Sequence, residues 1–221
     1  MSEPTRHSRQ ASALPPEAAN TPITIVGVGA IGRQIALQLA ASGFTDITIF
    51  DDDTVDIVNL GPQAFKEADV GRLKVDAVAD DCKALNSQCT VKKMPIRYNP
   101  DHLNCQVMFC CVDSIDTRAT IFQSLNRAPP KLFIDSRMSA EVSVTITIED
   151  CTTDAIYDKT LFPGSDAFTG PCTMRSTIYC SNIAAGMAIA SFSKWLRKIP
   201  ADPYVMFYIN QPTISFQIPP K

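Results

Sequence analysis

The sequence contains no C-x-x-C pair. Its eight cysteines (Cys82, Cys89, Cys105, Cys110, Cys111, Cys151, Cys172 and Cys180) stand singly or back to back. That spacing gives no support for a zinc knuckle or a thioredoxin-type redox motif, and no zinc is expected. A long apolar run is missing as well. The best segment, Ile183 to Leu196, is broken by Ser191, Ser193 and Lys194 and is shorter than the roughly 20 residues a bilayer requires. The first 20 residues carry no apolar stretch of the kind a signal peptide needs, so the expected compartment is the cytoplasm, with reduced thiols. Charge of one sign is also absent: 20 Lys+Arg stand against 23 Asp+Glu, a net charge of −3. Such balance offers no electrostatic footprint for nucleic acid.

What is present suits one folded unit. The 221 residues are 45% hydrophobic and 19% charged, enough to bury a sizeable core. Residues 1–21 are polar, rich in Ala and Pro and without periodicity, and read as a flexible N-terminal arm; residues 22–221 read as a single domain. Strand-like segments at 23–29, 46–51, 90–95, 106–113 and 131–136 alternate with helical patterns at 31–42, 70–86 and 116–126, the second placing Leu73, Ala77 and Leu85 inward. Continuously apolar strands alternating with helices predict a parallel sheet covered on both faces. After residue 136 the pattern changes. Residues 141–150 alternate strictly, with Val142, Val144, Ile146 and Ile148 on one side, and read as a half-exposed antiparallel strand. A loop-like stretch (151–173), a long helix (176–198) and a closing hairpin (204–210 with 213–218) follow. The predicted fold class is α/β: a Rossmann-like, mostly parallel sheet with helices on both faces and antiparallel strands added in the C-terminal part.

Gly27-Val28-Gly29-Ala30-Ile31-Gly32 reads G-x-G-x-x-G between a strand and a helix. In that context Gly27 permits the tight turn, Gly29 lets the backbone approach a phosphate, and Gly32 lets the helix pack on the strand. Amide N–H groups and the helix dipole then favour an anion. Asp51 ends the second strand, 24 residues after Gly27, where an acid can bond ribose hydroxyls. The loop by itself does not choose between NAD and ATP.

The residues that follow carry the distinction. Asp51, Asp53, Val55, Asn59, Leu60 and Gln63, then Gly71, Lys74, Val75 and Ala77, and later Asp113 with Arg118, resemble the signatures of the ThiF/MoeB and ubiquitin-activating adenylyltransferase family. The resemblance implies that ATP and Mg²⁺ are the cofactors. It implies that the C-terminal carboxylate of a ubiquitin-like or sulfur-carrier protein is adenylated with release of pyrophosphate, and that the chain is a homodimer. Gly27, Gly29, Ala30, Gly32, Asp51, Asp53, Asn59, Gln63 and Lys74 would bind nucleotide. Lys74 is the natural phosphate contact, and Asp113, at a strand's carboxyl end, is the natural Mg²⁺ anchor. Two bland alternatives stand beside this: Lys74 as a solvated helix lysine, and Asp113 as a helix N-cap.

One position departs from the family. Pro62 stands where the family has an Arg thought to reach the triphosphate. Arg72, Lys66, or Arg6 or Arg9 from a partner's arm are candidate substitutes; the other outcome is a protein that binds nucleotide without adenylating. Gly170 to Arg175 resembles the segment around the catalytic cysteine of ubiquitin-activating enzymes, making Cys172 a candidate nucleophile for a thioester. Cys180 is the weaker candidate. An NAD-dependent oxidoreductase is the competing reading, with only His7 and His102 as histidine proton donors.

Overall fold

The strand-like segments become the strands of one sheet in the computed structural model, which describes residues 6–102, 105–152, 156–163 and 176–217. The strands are β1 (Ile23–Val26), β2 (Asp46–Phe50), β3 (Thr90–Met94), β4 (Val107–Cys110), β5 (Leu132–Ser139), β6 (Val142–Ile148), β7 (Tyr204–Tyr208) and β8 (Thr213–Ser215). Their order is β3-β2-β1-β4-β5-β6-β7-β8. β1 is central, with Ile23 opposite Ile47 of β2 and Val107 of β4, both parallel. β2–β3 and β4–β5 are also parallel, and β5 through β8 run antiparallel. The predicted mixed α/β sheet is the one observed.

Helices cover both faces. α1 (Ala30–Ser42), α3 (Lys74–Leu85) and α6 (Ile178–Leu196) share one core with Ile25, Ile47, Phe109 and Ile134. α4 (Ile115–Ser124) and Tyr157 of the short α5 (Ile156–Lys159) close the other over Phe50, Met108 and Phe133. A four-residue helix, α2 (Leu60–Gln63), precedes α3.

Three details differ from the pattern read in the sequence. α3 starts at Lys74 rather than near residue 70, because 70–73 serve another purpose. Val55 donates to the Arg72 carbonyl and Gly71 to the Val55 carbonyl, and Gly71 supplies a φ of +86°. Leu85 is 45% exposed; the chain reverses at the buried Asn86, whose side chain accepts from the Gln88 amide. On β6 the alternation is real, but the strand is not half-exposed: Ile146 and Ile148 are fully buried on one face, and the polar face is covered as well. Ser143, Thr145 and Thr147 are buried while Val142 and Val144 are only partly covered. Small hydroxyl side chains let α6 approach, and Ser143 Oγ meets the Met187 sulfur at 3.6 Å.

The described part of the expected arm lies against the domain. Arg6 and Gln10 donate to the carbonyls of Ala41 and Ser42 at the C-terminus of α1. Leu14 is buried, and Ser193 of α6 donates to the Ala13 carbonyl at 2.7 Å.

Candidate functional site

A sheet whose order reverses between β1 and β4 opens a crevice at the carboxyl ends of those strands, and the G-x-G-x-x-G turn lies there. Gly27 has φ +85° and donates to the Phe50 carbonyl at 2.8 Å. A Cβ on Gly27 would come within 3.0 Å of the Cys111 backbone, so the turn rests on the end of β4. A Cβ on Gly32 would lie 1.9 Å from the Gly27 carbonyl oxygen; only glycine lets α1 close onto the turn. Gly29 is the N-cap of α1 and supplies no side-chain cap. The amides of Gly29, Ala30, Ile31 and Gly32 have no acceptor among the described residues, and this cradle suits an anion.

The amide of Val28 is not part of that cradle. It donates to Asp51 Oδ2 at 2.8 Å, while Asp51 Oδ1 accepts from the Asp53 amide at 3.0 Å. Asp51 thus first braces the turn, and a ribose hydroxyl would use its remaining lone pairs. Burial pushes its carboxyl above the ordinary carboxylate value, against the opposing pull of Lys74 and the two amides. Lys74 is 6% exposed and pairs with Asp53 at 2.6 Å, so it is no solvated helix lysine. Asp113 is exposed and has no hydrogen-bond or ion-pair partner among the described residues. It is not the N-cap of α4 either, since Ser114 accepts from the Thr117 amide there.

Asn59 accepts from the Asp56 amide at 2.9 Å, which leaves its amide nitrogen free to donate. The Gln63 side chain lies over Gly29, its Oε1 at 3.7 Å from where a Cβ would be. That oxygen is buried and has no hydrogen-bond partner among the described residues. The carboxylates of Asp51, Asp52 and Asp53 gather within 4.8 Å. Asp51 and Asp53 are already engaged, however, so Asp113 is the freer anchor for a cation.

Of the cations named as substitutes for the missing Arg, Arg72 is paired with Asp69 and Asp80 and Lys66 with Asp81, and this chain's own Arg6 lies at the other end of α1. The cation beside Gln63 is one that sequence reasoning missed. Arg33 is 5% exposed; it donates to the Gln63 carbonyl at 3.3 Å and pairs with Asp81 at 2.7 Å. Its signal was a lone charge on the otherwise apolar inner face of α1, directly after Gly32.

Residues 15–220 match the ThiF family. The chain belongs to that family. Among its relatives is the NEDD8-activating enzyme E1 catalytic subunit of Caenorhabditis elegans, 31% identical over 46% of this chain and 25% of that protein. Another is a probable molybdopterin-synthase adenylyltransferase of Gracilaria tenuistipitata var. liui, 33% identical over 46% of this chain and 30% of the relative. This ThiF-family chain therefore spans well under half the length of either curated relative. E. coli MccB solved with ATP superposes at a TM-score of 0.76, covering 96% of this chain and 71% of MccB, at 18% identity; that likeness is one of fold.

Among the cysteines, Cys172 lies outside the described residues. Cys180 is buried within α6, and burial holds its thiol up at about 11, which removes it as a nucleophile near neutral pH. His7 packs its ring against Gly43, where a Cβ would meet it at 2.2 Å. It sits at the opposite end of α1 from the turn and serves no hydride transfer there.

Proposed function

We propose that the chain is an ATP-dependent adenylyltransferase acting on a carboxylate of a protein or peptide, with the C-terminal carboxylate of a ubiquitin-like or sulfur-carrier protein as the preferred substrate. The observation that carries this reading is the open cradle of four amides at the start of α1, flanked by buried Lys74 on the β2 side and free Asp113 on the β4 side. A substrate carboxylate oxygen bonds to the α-phosphorus of ATP, the bond to the bridging oxygen breaks, and pyrophosphate leaves. Negative charge grows on the phosphoryl oxygens, and fixed donors and cations aimed at them lower the barrier. The uncapped helix amides and Lys74 fill that role, with Asn59 as a further donor. Asp113 would hold a magnesium ion, which supplies charge neutralisation at the phosphates. The relatives' names, an adenylyltransferase of molybdopterin synthase and an activating enzyme of NEDD8, support a protein carboxylate as substrate.

The reading extends to a homodimer and to transfer of the acyl group from AMP to Cys172 as a thioester. ATP–pyrophosphate exchange with a panel of small carrier proteins tests the first step. Exchange that depends on one carrier's free C-terminal carboxylate supports it; saturable ATP binding with no exchange across the panel makes the chain a nucleotide-binding scaffold instead. Preferential binding of NAD would return the oxidoreductase reading. For the thioester, a Cys172→Ala variant that still forms a reductant-labile carrier conjugate removes that cysteine from the chemistry.

A further inference from the structure

The carboxyl end of β4 and the middle of β5 hold a buried ion cluster that the nucleotide reading leaves unused. Asp135 is fully buried and lies in register with Cys110. One carboxylate oxygen accepts from Arg118. The other accepts from Arg137 Nε and from the Tyr157 hydroxyl, both at 2.8 Å. Arg118 is 5% exposed and gives its other donors to main-chain carbonyls: Cys110, Ser136, and Val112, the residue before Asp113. Arg137 donates to the Thr160 carbonyl at 2.8 Å and to its hydroxyl at 3.1 Å. The Thr160 hydroxyl in turn donates to the Tyr157 carbonyl at 2.7 Å.

A buried ion cluster adds little stability that apolar packing of the same volume would not supply. What it does supply is geometry, because guanidinium forks tolerate few orientations of their acceptors. Here the acceptors belong to two separate pieces of backbone, the turn that carries Asp113 and the 156–163 segment. We propose that Asp135 is a positioning residue that fixes both: through Arg118 it sets the Val112–Asp113 turn, and through Arg137 and Tyr157 it sets the α5 segment, so that a change at α5 is felt at Asp113. The role assigned to Asp113 rests on the adenylation reading, but the mechanical link does not.

Hydrogen exchange in the intact chain tests the link. Tyr157→Phe keeps the ring and removes one hydroxyl donor; Thr160→Val removes the hydroxyl acceptor of Arg137. Either variant should speed amide exchange at 156–161 and also at 112–114, by about fivefold for the loss of one such bond, while the amides of β1 stay unchanged. Faster exchange confined to 156–161 overturns the proposal, as does an equal increase throughout β1, which would mean global destabilisation. In ATP–pyrophosphate exchange the same variants should lower kcat several-fold with the KM for ATP unchanged. If the wild-type chain shows no exchange with any carrier, the adenylation reading fails, and the amide pattern still decides whether Asp135 couples the two segments.

Discussion

Gly32 has the least freedom of any residue in the site, since a side chain there would run into the Gly27 carbonyl at 1.9 Å. Gly32→Ala should cost about 1–3 kcal/mol of stability by overpacking and abolish ATP binding, read by denaturant unfolding and calorimetric titration. Lys74 makes the opposite prediction. Its partner Asp53 is largely exposed, so losing the pair costs little stability. Lys74→Met should leave Tm nearly unchanged while pyrophosphate exchange falls about 10²–10³-fold. Asp51 contributes a pH signature. Its carboxyl is raised above the 3.8 of the free side chain by burial, so the native state binds that proton more tightly than the unfolded one. The associated stability is fully present below the unfolded value and is lost as pH rises through the native one. Asp51→Asn cannot ionise, so the Tm difference between variant and wild type should shift in the variant's favour from pH 4 to pH 7; a constant difference would refute the assignment.

At the scale of elements, the strands were legible because a strand buried on both faces has no polar period to obscure it; ITIV, DITIF and VMFC each appear as continuous runs. The start of α3 was not legible. It is fixed by hydrogen bonds between residues 16 and 17 positions apart, Val55 with Gly71 and with Arg72, and local periodicity carries no trace of them. β6 shows the same limit in another form: its alternation marked the strand but not that both of its faces would be covered. The buried hydroxyls of Thr145 and Thr147 have no hydrogen-bond partner among the described residues. An unsatisfied buried hydroxyl costs about 1–3 kcal/mol, so Thr145→Val should be neutral or stabilising by about 1 kcal/mol in chemical denaturation. A loss of that size would mean the hydroxyl has a role. The site followed the same division. Gly27, Gly32 and Asp51 were marked by spacing and Lys74 by the family resemblance, whereas Asp135 drew its partners from 17 and 22 residues away and was visible only as a charge ending an apolar strand.

The whole molecule holds its N-terminal segment more firmly than composition suggested. A polar, Pro-rich stretch looks detachable, yet Leu14 is 8% exposed in the core shared by α1 and α6, and one apolar residue with a few main-chain bonds suffices to seat it. Leu14→Ala should cost about 2 kcal/mol, seen as a lower denaturation midpoint with the ATP affinity unchanged. The order of strands has a wider consequence. The sheet turns back on itself once, at β1 and β4, and everything beyond β5 runs in alternating directions. The residues of the proposed nucleotide cradle all come from the first half of the chain, and the second half reaches them through the Asp135–Arg118 pair. A guest that reshaped the α5 segment would therefore be felt in the hearth through that joint.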